Sequence, residues 1–124
     1  MNKRDLNNQR LIAFEEERDF DPENYSVEVY SYNDTTLGLN ALWEVWRNSE
    51  GELDRRFGPA MVSVWAEDGS VILEEYYHKG VLHREDGPAV FYRDPRNDQV
   101  LQEEYYRDGV RYYPNTKSAL DPAP

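Results

Sequence analysis

Cysteine is absent from the 124-residue chain. That excludes disulfides, thiolate metal sites and cysteine nucleophiles. Histidine occurs only as His78 and His83, so little imidazole is on hand for acid–base work or metal binding. Positive charge is scarce: 14 Lys and Arg stand against 25 Asp and Glu, a formal net charge of −11. Such a surface repels phosphate, which argues against direct binding to DNA, RNA or anionic lipid. No apolar run approaches the roughly 20 residues of a membrane span. The basic N-terminus "MNKRDLNNQRLIAF" has an apolar stretch of only Leu11 to Phe14, too short for a secretory signal. The expected location is therefore cytoplasmic, where Asn24-Tyr25-Ser26 and Asn33-Asp34-Thr35 carry no glycan. Phosphate loops, Gly-rich nucleotide signatures and a Ser/His/Asp order are also missing.

What the chain does contain is a repeat. "ELDRRFGPAMVSV" from Glu52 lies over "VLHREDGPAVFYR" from Val81, an offset of 81 − 52 = 29 residues. The same offset carries Gly51 to Gly80 to Gly109, and "VILEEYY" (Val71–Tyr77) to "VLQEEYY" (Val100–Tyr106). Upstream, "LWEVWRNSEG" resembles "LEEYYHKG" with two extra residues. Downstream, "GVRYYPNTKSAL" begins like "GVLHREDGPAVF" and then loses the motif. Degraded end units are expected where an array is capped.

Turn chemistry punctuates each unit. Asp108-Gly109 and Lys79-Gly80 separate strand-like runs, and Asp-Gly is among the best two-residue hairpin loops. Asp68-Gly69 and "DPRND", with Pro95, mark two further reversals. Val, Ile, Tyr, Phe and Trp crowd the runs between. The expected fold is mainly β, an antiparallel β-meander of hairpin repeats in a single domain. Residues 41–113 form the repeat sheet with its period of about 29 residues. Residues 1–40 form an N-terminal segment packed on that sheet, and residues 114–124 a tail ending in a disordered "DPAP". Within the N-terminal segment "LIAF" reads as a short helix or a strand, and "YSVEVYSYN" alternates as a strand. Neither face of Val71–Tyr77 is cleanly apolar, which predicts a sheet covered on one side over part of its length.

"LHREDGPAV" concentrates His83, Arg84, Glu85 and Asp86, and invites a catalytic reading. Its copy answers that: His83 becomes Asp54, Glu85 becomes Arg56 and Asp86 becomes Phe57. What persists is Arg55/Arg84, Gly58/Gly87 and Pro59/Pro88, the geometric parts. Glycine takes φ values others cannot, and proline fixes φ. These six residues are expected to be structural, with each arginine reaching turn carbonyls or a nearby Glu. "EEYYHKGVLHREDGPAVFY" resembles the HRxDGPA-type repeats of bacterial, bacteriophage and giant-virus proteins, themselves similar to MORN repeats. The resemblance spans about Leu42 to Tyr113. It implies an extended antiparallel sheet that serves as a binding scaffold. The spacing departs from the MORN period of roughly 23 residues.

Candidates for chemistry are few. His78 and His83 flank the Lys79-Gly80 turn and, with Glu75 or Asp86, suggest a metal pair. Glu74-Glu75 and Glu103-Glu104 suggest acid–base pairs, but adjacent strand residues point to opposite faces. The expectation is no catalytic residue, no metal and no cofactor. Binding is better served. Tyrosine and tryptophan anchor many interfaces, and carboxylates interleave with them here. The partner-binding set is Glu74, Glu75, Tyr76, Tyr77, Glu103, Glu104, Tyr105, Tyr106 and Trp65. The expected partner is a basic protein surface, such as that of a nucleic-acid-binding protein, engaged by an inhibitor or adaptor. Alternatives are a phage-type anti-defence protein that mimics nucleic acid (anti-CRISPR or anti-restriction), an antitoxin, and a small metal-dependent hydrolase.

Overall fold

Backbone conformation at the turns decides where the chain reverses. In the computed structural model of the protein, which describes residues 25–114, Lys79 and Gly80 take φ of 48° and 85°. Asp108 and Gly109 repeat the pair at 50° and 79°. Two successive left-handed residues make a type I′ turn, whose twist matches that of the strands it joins. Asp68-Gly69 works differently. Only Gly69 has positive φ there. Its N–H donates to the Trp65 carbonyl at 2.8 Å, while Asp68 Oδ1 accepts the Ser70 N–H at 2.8 Å. This is a wider turn than the two-residue loop that Asp-Gly suggested. "DPRND" copies it bond for bond: Asp98 N–H to the Asp94 carbonyl at 2.8 Å, and Gln99 N–H to Asn97 Oδ1 at 2.9 Å. Pro95 is thus incidental to the bonding pattern.

Among the described residues nine strands result: β1 (Ser26–Asp34), β2 (Leu39–Arg47), β3 (Met61–Trp65), β4 (Val71–Glu75), β5 (Tyr77–His78), β6 (Val81–Leu82), β7 (Val90–Asp94), β8 (Gln99–Arg107) and β9 (Val110–Tyr112). Seven form one antiparallel meander in the order β1-β2-β3-β4-β7-β8-β9, and β5 and β6 make a separate hairpin. No helix occurs among the described residues, and so none there is long and apolar enough to cross a membrane. β1 falls within the segment 1–40 and pairs with β2 along its whole length. The sheet therefore begins upstream of residue 41. "LIAF" and the "DPAP" tail lie outside the described residues.

The core sits under the middle of the sheet. Leu39, Ala41 and Ile72 form one buried cluster, with Tyr32, Trp65, Leu73 and Tyr92 packed against it. Tyr25, Trp46 and Ala60 form a second, joined by Val27, Leu53 and Tyr77. In β3, Val62, Ser63 and Val64 are all buried, so this strand is covered on both faces. That exceeds the one-sided cover expected from alternation. The polar intruder Ser63 is satisfied by the Tyr32 hydroxyl at 2.9 Å. Burial then fades across the sheet until Gln99 to Glu103 of β8 are all exposed.

The turns of successive units also touch. Gly80 N–H donates to the Leu53 carbonyl and Gly109 N–H to the Leu82 carbonyl, both at 2.8 Å. Donor and acceptor each move by the repeat offset, 109 − 80 = 82 − 53 = 29. Leu53 and Leu82 thus serve the packing of one hairpin on the next.

Candidate docking surface

Strand register determines which acidic residues meet. Glu75 pairs with Val90 and Val90 with Glu104, while Glu74 pairs with Phe91 and Phe91 with Glu103. Glu75 and Glu104 therefore lie in one cross-strand row and Glu74 and Glu103 in the next. Each pair is separated by two strand spacings, about 10 Å. Because successive residues alternate, the two rows lie on opposite faces. The Glu74 row continues through Val62 to Glu44, which is buried. Along that row carboxylates go from buried Glu44, through half-buried Glu74, to exposed Glu103.

Each tyrosine two residues beyond a glutamate returns to the same face. Tyr77 OH donates to Glu75 Oε1 at 3.0 Å, and Tyr106 OH to Glu104 Oε1 at 3.2 Å. Burial and then the Glu75 charge push the Tyr77 phenol up to about 12. Tyr76 and Tyr106 are raised for the same reasons, loss of water first and then the adjacent carboxylate, Glu74 and Glu104 respectively. The hydroxyls thus stay protonated and donating. Glu104 also has Arg111 Nη1 at 3.9 Å. Tyr105 is half-buried and meets Tyr112 edge-on, with centroids 5.7 Å apart. Trp65 is half-buried against the Leu39–Ala41–Ile72 cluster. It is as much core as surface.

The Arg–Gly–Pro device is built twice. Arg84 Nη1 donates to the Pro88 carbonyl at 3.1 Å, and Arg55 Nη1 to the Pro59 carbonyl at 3.3 Å. The Arg84 guanidinium carbon lies 3.9 Å from the Tyr76 ring centroid, and that of Arg55 lies 3.9 Å from that of Trp46. Glycine is needed because the guanidinium fills the space beside it. A Cβ on Gly87 would stand 2.9 Å from Arg84 Cζ, and one on Gly58 3.0 Å from Arg55 Cζ. Between the two loops is an open depression of about 560 Å³, lined among others by Asp54, Phe57, Tyr76, Tyr77, His78 and His83.

His78 and His83 face each other across their hairpin, with centroids 6.1 Å apart. Their acidic neighbours are neither Glu75 nor Asp86. His83 Nδ1 accepts the Asp108 N–H at 2.9 Å and its Nε2 lies 2.9 Å from Glu85. A proton on Nε2 satisfies both contacts. His78 Nδ1 lies 3.5 Å from buried Asp54. Among the described residues no three of His, Asp and Glu gather as a metal-ligand set.

Several contributors escaped the sequence reading. Phe91 lies between Glu74 and Glu103, yet only the register reveals it. Phe57 is 72 % exposed at the lip of the depression. Asp54 is buried and accepts from Asn48 Nδ2 at 3.1 Å. Asn48 Oδ1 in turn caps the N–H groups of Glu50 and Glu52, both at 3.0 Å. "RNSEG" carried a readable signal here, since asparagine often bonds backbone N–H groups two residues on. No protein-family model, curated protein or solved structure matches the chain.

Proposed function

We propose that the chain is a non-enzymatic, cytoplasmic protein-binding module of the HRxDGPA repeat type, an inhibitor or adaptor that docks on a basic protein surface. The observation that carries this reading is the register of β4, β7 and β8. It lines up Glu75 with Glu104 and Glu74 with Glu103 on a sheet whose strand β8 is exposed from Gln99 to Glu103. A rigid sheet loses little entropy on binding, and tyrosines beside the carboxylates add apolar contact. The net charge of −11 attracts a basic partner and speeds encounter. Nucleic-acid-binding proteins present such surfaces. The test is capture from lysate, followed by calorimetry on the captured protein with Glu75→Lys, Glu104→Lys and the double variant. The double reversal should weaken binding more than either single one, and added salt should weaken the wild type. A partner that ignores both reversals and salt would remove the acidic rows from the interface. Turnover of substrate by the purified protein, with or without added divalent metal, would overturn the non-enzymatic assignment.

A further inference from the structure

Deepening the docking reading, on which this inference rests, we propose that the partner contributes an extended basic segment that adds as a strand to the edge of β8 that the described residues leave unpaired. The repeat shows what belongs there. The 29-residue offset carries β4 (Val71–Glu75) onto Val100–Glu104. β4 has β7 along its far edge, pairing Leu73, Glu74 and Glu75 with Tyr92, Phe91 and Val90. Among the described residues, the corresponding Gln102, Glu103 and Glu104 have no such neighbour, β9 covering β8 only from Tyr105 to Arg107. Among the described residues no other strand pairs with this edge. The Glu104 carbonyl accepts the Ala89 N–H at 2.8 Å and so points at β7. Backbone groups alternate along an antiparallel strand, which turns those of Glu103 outward.

Side chains along the edge fit an incoming strand with apolar and basic residues. Val100 and Leu101 are 49 % and 41 % exposed, and Glu103 is exposed as well. β7 itself shows the pattern that the site favours. Its Val90, Phe91 and Tyr92 pair with β4, and Arg93 reaches back to the Val71 carbonyl at 2.7 Å. The same arginine on an added strand would find the Val100 carbonyl. Main-chain bonds supply affinity in this mode and alternating side chains supply selectivity.

The probe is a labelled peptide KAVFYRK, which copies Ala89–Arg93 between two lysines. Two N-methylated versions keep its charge, one methylated on alternate residues to block one backbone edge and the other to block the opposite edge. The wild-type protein should bind the unmethylated peptide and one methylated version, and lose at least tenfold in affinity for the other. Hydrogen exchange at the Glu103 amide should slow on binding. Equal affinity for all three peptides would mean that charge docks without strand addition, which overturns this inference and leaves the docking reading intact. No binding of the unmethylated peptide at low salt, or a Glu103 amide already protected in the free protein, would overturn it too. The docking reading is judged separately, by the Glu75 and Glu104 reversals against the captured partner.

Discussion

Gly87 and Arg84 should behave as one unit. Removing the arginine side chain (Arg84→Ala) deletes the bond to the Pro88 carbonyl and the stack on Tyr76. A hydrogen bond to a charged group contributes about 1.5–3 kcal/mol, and an exposed cation–π contact roughly 0.5–1 kcal/mol. Arg84 is 28 % exposed, which places the total near the lower end, at about 2 kcal/mol. Gly87→Ala should cost about 1–2 kcal/mol in the wild type, because the new Cβ pushes the guanidinium off both partners. With Arg84 already alanine, the three atoms nearest that Cβ are gone and the cost should fall to a few tenths of a kcal/mol or less. A coupling of about 1–2 kcal/mol is therefore expected in a double-mutant cycle. Urea unfolding followed by tryptophan fluorescence measures it, and in a domain of this size about 1 kcal/mol moves Tm by roughly 4–8 °C. Gly58 is the control: its φ of 152° strains any L-residue, so Gly58→Ala should stay costly even beside Arg55→Ala. Equal Gly87→Ala costs in both Arg84 backgrounds would refute the steric account.

Gly109→Val places a β-branched residue at φ 79°, 3.5 Å from Val81, and should cost more than about 1 kcal/mol by thermal melting. Lys79 sits exposed at φ 48° in a type I′ turn. Lys79→Asn should therefore raise stability by roughly 0.5–1 kcal/mol, and an unchanged or lowered melting temperature would argue against that turn. Alkaline pH should destabilise the fold. Tyr77, raised from 10.0 to about 12, contributes stability that is complete below pH 10 and is lost as pH rises towards 12. Tyr76, Tyr92 and Tyr106 shift in the same direction. Tyr77→Phe should flatten that part of the pH profile.

Much of the sheet was legible because its turns are local. Lys79-Gly80 and Asp108-Gly109 announce left-handed pairs in two letters, and the hairpins follow. The repeat offset also predicts that Glu74 and Glu75 align with Glu103 and Glu104, as the register through β7 does. What the residues did not reveal depends on contacts and irregularities that no local sequence pattern marks. Tyr92 OH donates to Asp34 Oδ2 at 3.1 Å across 58 positions, tying the β1–β2 turn to β7. Asp54 reads as a charged surface residue and is buried because Asn48 supplies a donor. The bulges at Ser63/Val64 and Tyr92/Arg93 shift register without any glycine or proline to mark them. The strand pairs at these bulges could not be counted off from alternation alone.

The docking of acidic rows on a basic surface is tested most directly by calorimetry of the captured partner at low and high salt. Wild type and the Glu75→Lys/Glu104→Lys variant are compared after circular dichroism shows that both are folded. Exposed charges are screened beyond about 8–10 Å at physiological ionic strength. The expected result is an affinity that falls as salt rises, and falls further in the double variant than in either single one. An affinity unchanged by salt and by both reversals would contradict the account.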